Sequence, residues 1–141
     1  MTEEHKESKL HHVVFAVAGE RHDVVAELFT DLGFVLENLE LTELGLHVHL
    51  DWNRGVELIS PLAGSTEKVA NSVREFLDGH GDGIYTVVLR VPDATAAESV
   101  TERYGGTTRF RQSFSDDGSH LAEVDLSVFG LPLTFLSTNL P

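Results

Sequence analysis

Apolar residues recur along this chain with two alternating periods, and the switches between them mark its elements. Leu10–Val17 is a nearly continuous apolar and β-branched run interrupted by two adjacent histidines, and it reads as a buried strand. From Arg21 to Leu32 the apolar positions Val24, Val25, Leu28, Phe29 and Leu32 take helical spacing, which Gly33 stops. Phe34–Leu41 predicts a strand. "GLHVHLDW" then alternates with period two, placing Leu46, Val48, Leu50 and Trp52 on one face and His47, His49 and Asp51 on the other. After the turn "NRG", Gly55–Ser60 predicts a further strand, closed by Pro61.

The same order then returns. Ser65 is placed to cap a helix running to Leu77, striped by Val69, Val73, Phe76 and Leu77 and ended by "DGHGDG". Ile84–Val91 predicts a strand, and Asp93 caps a helix striped by Ala96, Ala97, Val100 and Tyr104 that stops at Gly105 and Gly106. Thr107–Phe114, His120–Val128 and Leu131–Ser137 predict three more strands. A strand-helix-strand-strand-strand unit therefore occurs twice, and even the letters correspond: "HVVFAV" from His12 against "TVVLRV" from Thr86, and "GVELIS" against "LPLTFLS". The fold class is α+β, built from two βαβββ units, the first over residues 10–62 and the second over 83–138, linked by a helix over 65–78. Residues 1–9 read as a loose polar segment ahead of a single domain at 10–141.

Composition narrows the functions open to the chain. A chain of 141 residues suits one domain and buries about 68–70% of its unfolded surface. The absence of cysteine excludes disulfides, zinc–thiolate sites and a cysteine nucleophile. A net charge of −13, from 23 acidic and 10 basic residues, argues against nucleic acid and anionic membrane as partners. No apolar run reaches the ~20 residues that span a bilayer, and "MTEEHKESK" lacks the apolar core of a signal peptide, so a cytoplasmic protein is expected. "SFSDDGSH" reads as an exposed hairpin turn rather than a calcium loop, because the regular alternation of oxygen ligands is missing. "GHGDG" follows a helix and precedes a strand, the reverse of a phosphate cradle. No Ser-His-Asp or Gly-x-Ser-x-Gly arrangement is present.

The duplicated unit, opened by "LHHVVFAV" and closed by "GVELISPL", resembles the vicinal oxygen chelate superfamily, which includes glyoxalase I, methylmalonyl-CoA epimerase, extradiol dioxygenases and bleomycin-binding proteins. The resemblance covers Leu10 to Ser137. It implies a glyoxalase-like fold of paired half-barrels with helices on the outer face, a ligand cavity between them, and a homodimer. It also implies metal ligands from the first and last strand of each unit. The first unit supplies His12 and Glu57 at these positions; the second has Thr86 and Thr134 instead.

Strand parity is an independent guide. If Val56 and Leu58 pack under the helices, Glu57 points inward, towards the face shared by His12, Val14 and Ala16. If Leu46, Val48, Leu50 and Trp52 are also helix-packed, His47 and His49 share that inward surface. A divalent metal (Zn, Ni, Fe or Mn) would then take His12 and Glu57 as first ligands and His49 or His47 as third. Without metal, His12 and Glu57 form an acid/base pair suited to proton abstraction beside a carbonyl, or a plain hydrogen-bonded pair in a polar pocket. In the second unit Thr86, Val88 and Arg90 face inward, with Thr134 beside them as a further ligand contact. Arg90 offers a bidentate fork to a carboxylate or phosphate, or else reaches solvent or a surface acid. Tyr85 alternates to the helix side. Three functions fit: a lyase or isomerase acting on a small oxygenated metabolite, a metal-free drug- or antibiotic-binding protein, and a non-haem iron dioxygenase.

Overall fold

A computed structural model of the chain describes residues 7–140. Its elements follow the predicted order: β1 (Lys9–Ala16), α1 (His22–Asp31), β2 (Glu37–Leu41), β3 (Leu46–Asp51), β4 (Val56–Pro61), α2 (Lys68–His80), β5 (Gly83–Arg90), α3 (Ala94–Glu102), β6 (Thr107–Asp116), β7 (Ser119–Val128) and β8 (Leu131–Thr138). The chain divides into two compact units, His12–Tyr85 and the described part of Thr86–Pro141 with residues 7–11. Most of the N-terminal segment expected to be loose lies outside the described residues, and β1 already begins at Lys9.

In the first unit the strands lie in the order β2-β3-β4-β1, with β1 and β4 parallel and the remaining neighbours antiparallel. In the second the order is β5-β8-β7-β6, again with the first and last strands of the unit parallel. The repeat is faithful in register: Val14 pairs with Glu57 in β1/β4, and Val88 pairs with Thr134 in β5/β8. A parallel pair needs a crossover connection, and the segment containing the unit's helix supplies it.

Each unit packs one sheet face on its helix. In the first, Ala26 of α1 meets Val56 and Leu58 of β4, with Phe15, Val25, Phe29 and Phe34 closing round them. Burying side chains of this size contributes about 1.5–3 kcal/mol each. In the second, Ala94 of α3 packs with Val124, Leu126, Val128 and Phe135. Buried Glu98 of α3 accepts hydrogen bonds from Thr108 and the Arg111 guanidinium, tying the helix to β6. Those donors, Arg111 first and Thr108 next, hold the Glu98 carboxyl below the ordinary carboxylate range against the opposing effect of burial.

Caps and turns account for most boundary differences. Asp93 caps α3 as predicted, accepting from the N–H groups of Thr95 and Ala96. Ser65 does not cap α2: its hydroxyl accepts from the N–H of Glu67 at 3.2 Å and shapes the turn before the helix. Gly45 is required where it stands, with φ +72° and a close approach that would drive a Cβ to 2.2 Å from Ser65 Oγ. Tyr85 sits on the helix side as expected, 2.7 Å from Ser72 Oγ of α2. Two-residue turns with positive φ at both positions join β6 to β7 (Asp117, Gly118) and β7 to β8 (Phe129, Gly130). Among the described residues no helix is long and apolar enough to cross a membrane.

Candidate functional site

The structure brings His12 and Glu57 together. Both lie on the sheet face turned away from α1, because Val14 pairs with Glu57 while Phe15 and Leu58 pair on the α1 side. His12 Nε2 stands 2.9 Å from Glu57 Oε1. An ionised carboxylate only accepts, so the imidazole donates from Nε2. The two partners differ in access: the His12 side chain is 4% exposed and that of Glu57 21%. Trp52 flanks the histidine, its ring centroid 5.9 Å from the imidazole. The arrangement is a buried donor holding one oxygen of a partly open carboxylate, beside an aromatic wall.

His47, His49 and Asp51 are elsewhere, which corrects the expected parity. In the antiparallel pairing of β3 with β4, Leu50 stands opposite Glu57, whereas His49 stands opposite Leu58, His47 opposite Ser60 and Asp51 opposite Val56. Directly opposed residues share a face, so both histidines lie on the α1 side and Leu46, Val48 and Leu50 line the side of His12 and Glu57. His49 therefore does not join those two as a third ligand, nor does His47. The expectation failed because both faces of this sheet are buried: Val14, Val48 and Ile59 on one side, Val56 and Leu58 on the other. Apolar character does not tell the faces apart there. Asp51 is structural, accepting from the N–H groups of Val35 and Arg54 and from the Arg54 guanidinium. Burial alone would raise its pKa; these three hydrogen bonds outweigh it and hold the carboxyl below its ordinary value.

On the α1 face the two histidines meet a third, His22, the first residue of α1. His22 Nε2 lies 2.8 Å from His49 Nδ1, and the rings of His22 and His47 stack at 4.0 Å. One ring nitrogen from each of the three falls within 4.8 Å of the others, so the cluster is able to hold a metal ion. His22 is fully buried, and its pKa is lowered to about 4, by burial first and then by His47 and His49, with Asp23 pulling the other way. Burial, followed by His47, also lowers His49. Sequence reading missed His22. The available signal was a histidine at the mouth of an amphipathic helix, following the strand that packs beside it.

In the second unit Thr86 and Thr134 occupy the register positions of His12 and Glu57 and are likewise bonded to each other, Oγ1 to Oγ1 at 2.9 Å. Thr134 spends its hydroxyl proton on Asp125 Oδ1 at 2.7 Å, so Thr86 is the donor between the two threonines. Asp125 stands opposite Thr134 on β7, where the first unit has Leu50 opposite Glu57. Arg90 does not present an open fork: one guanidinium nitrogen donates to the carbonyls of Thr138 at 2.9 Å and Leu140 at 2.8 Å, clamping the end of β8. The metal set implied by the resemblance does not fit here. Two of its four positions are neutral hydroxyls engaged in a hydrogen-bonded chain, poor ligands for Zn, Ni or Fe.

No sequence-family model matches the chain, and no curated protein does. Solved structures do. Methylmalonyl-CoA epimerase from Mycobacterium tuberculosis is similar with a TM-score of 0.63 at 23% identity, over 92% of this chain and 87% of that one. A variant of the Streptomyces coelicolor methylmalonyl-CoA epimerase, in complex with 2-nitronate-propionyl-CoA, gives 0.64 at 15% identity over 94% and 98%. A variant of 4-hydroxymandelate synthase, also from Streptomyces coelicolor, gives 0.65 at 17% identity, over 94% of this chain and 48% of the other.

Proposed function

We propose, on the premise that this chain has the fold of the vicinal oxygen chelate superfamily, that it is an isomerase-type enzyme acting on a small oxygenated metabolite, with His12 and Glu57 as its proton-transfer pair. The observation that carries this reading is the 2.9 Å contact between a buried imidazole and a more open carboxylate. Held at Oε1 by His12, Glu57 keeps Oε2 for a substrate. That oxygen is suited to take a proton from a carbon next to a carbonyl, leaving the electron pair in an enolate. Reprotonation by water on the opposite face inverts the centre, Glu57 then passing its proton to solvent; return from Glu57 to the original face restores the starting stereoisomer. His12 fixes the carboxylate's orientation through both steps.

The epimerases among the structural neighbours make a thioester of a 2-substituted malonate the first substrate class to try. Deuterium uptake at its α-carbon in heavy water, followed by proton NMR, is the direct assay. Glu57→Gln should lower the exchange rate at least ~100-fold, and His12→Ala should lower it by a smaller factor. Exchange that survives Glu57→Gln would overturn the assignment. A second reading, a protein that binds such a molecule without transforming it, is favoured by Thr86 and Thr134, which bring neither base nor acid to the second unit. Under that reading no exchange occurs, and ligand affinity persists in both variants.

A further inference from the structure

We propose that His22, His47 and His49 form a binding site for a divalent transition-metal ion on the α1 face of the first unit, separate from the His12–Glu57 pair. Two features beyond proximity support it. Outer hydrogen bonds fix which ring nitrogens carry protons, as they do around metal-bound histidines. Ser60 Oγ donates its only proton to the carbonyl of Val17 at 2.6 Å, so it must accept from His22 Nδ1–H, also at 2.6 Å. His22 Nε2 is therefore left with a bare lone pair facing the cluster. His47 Nε2 donates to Asn38 Oδ1 at 2.9 Å, leaving its Nδ1 as the second lone pair. His49 Nδ1 must then carry the proton that bridges to His22 Nε2 across 2.8 Å. A metal ion takes the position of that proton, and His49 shifts to the tautomer that carries its one ring proton on Nε2.

The chemistry and the field agree. Three imidazoles and no thiolate suit Zn²⁺, Co²⁺, Ni²⁺ or Cu²⁺ rather than Mg²⁺ or Ca²⁺. Metal–nitrogen bonds of about 2.0–2.1 Å at tetrahedral angles put ligand nitrogens roughly 3.4 Å apart. The nitrogens here lie within 4.8 Å, so closure takes adjustments of about an ångström. The largest movement falls on His47, whose ring must turn out of its stack on His22. Its outer partner, Asn38, is exposed on the edge strand β2, and Glu40 stands opposite His47 on the same face. Asp23 acts on both His22 and His49 with a negative charge. Three protein ligands leave a fourth position for water.

The test titrates purified, metal-free protein, without a histidine tag, with Co²⁺ and reads the visible d–d bands, then measures Zn²⁺ affinity by competition with a chromophoric chelator. One Co²⁺ per chain with four- or five-coordinate intensity is expected. His47→Ala and His49→Ala, both at partly exposed positions and checked for folding by circular dichroism, should each weaken Zn²⁺ at least tenfold. Ser60→Ala should weaken it roughly tenfold through His22 alone. His12→Ala and Glu57→Gln should leave the affinity unchanged. Absence of stoichiometric binding at tens of micromolar metal would overturn the proposal. So would affinity that survives the His47→Ala, His49→Ala double variant, or that is lost with His12 or Glu57 instead.

Discussion

Glu57 pairs in register with Val14, not with His12, so the imidazole reaches its carboxylate along a two-residue diagonal between parallel strands. The second unit closes the same diagonal with shorter side chains: Val88 pairs in register with Thr134, and Thr86 meets Thr134 hydroxyl to hydroxyl at 2.9 Å.

This geometry separates the structural from the chemical role of Glu57. Glu57→Ala removes the acceptor of a buried donor and should destabilise the protein by about 1–3 kcal/mol in urea unfolding. Glu57→Gln retains a carbonyl oxygen for His12 and should cost less than about 1 kcal/mol, yet it has no base to offer. Equal losses for the two variants would show that the interaction depends on charge rather than on the hydrogen bond.

The chain from Thr86 through Thr134 to Asp125 should behave as one unit. Thr134→Val breaks both of its links and should cost about 1–3 kcal/mol. Thr86→Val should cost less, and the double variant should fall short of the sum by about 1 kcal/mol. A double-mutant cycle in chemical denaturant measures this, and strict additivity would contradict an energetic link between Thr86 and Thr134.

Glu98 gives the second unit a defined acid sensitivity. Its folded-state pKa lies below the unfolded one, so the unfolded chain binds the proton more readily, and the stabilisation is present above the unfolded value. It is lost as pH falls from about 4.5 through the folded pKa. Glu98→Gln should therefore be less stable than the wild type at pH 7, by roughly 2–3 kcal/mol. The gap should narrow below pH 4.5, as thermal unfolding against pH will show.

The order of elements was legible because the period of the apolar residues switches cleanly between strands and helices, twice over. The His12–Glu57 pair was legible for a similar reason: Val56 and Leu58 do pack under α1, so alternation sends Glu57 to the other face. β3 defeated the same logic. Leu46, Val48 and Leu50 look like a helix-facing stripe, but a sheet buried on both sides accepts apolar residues on either, and only the pairing of Leu50 with Glu57 settles the orientation. His22 was hidden for a different reason. A lone histidine opening a helix acquires meaning only when the fold sets it against His47 and His49, 25 and 27 residues further along the chain and in no sequence pattern with it.

At the tip between β7 and β8, Phe129 adopts φ +54° with its side chain 78% exposed, meeting only the edge of Tyr104 at a centroid separation of 6.3 Å among the ring contacts. A bulky residue in left-handed backbone is strained, by about 1–2 kcal/mol, and that aromatic surface faces water. Asparagine tolerates this conformation, so Phe129→Asn should raise the unfolding free energy by about 0.5–1 kcal/mol and reduce self-association at high concentration, readable by calorimetry and light scattering. The hairpin tip is thus a place where this chain accepts a less relaxed and stickier turn than its backbone geometry calls for.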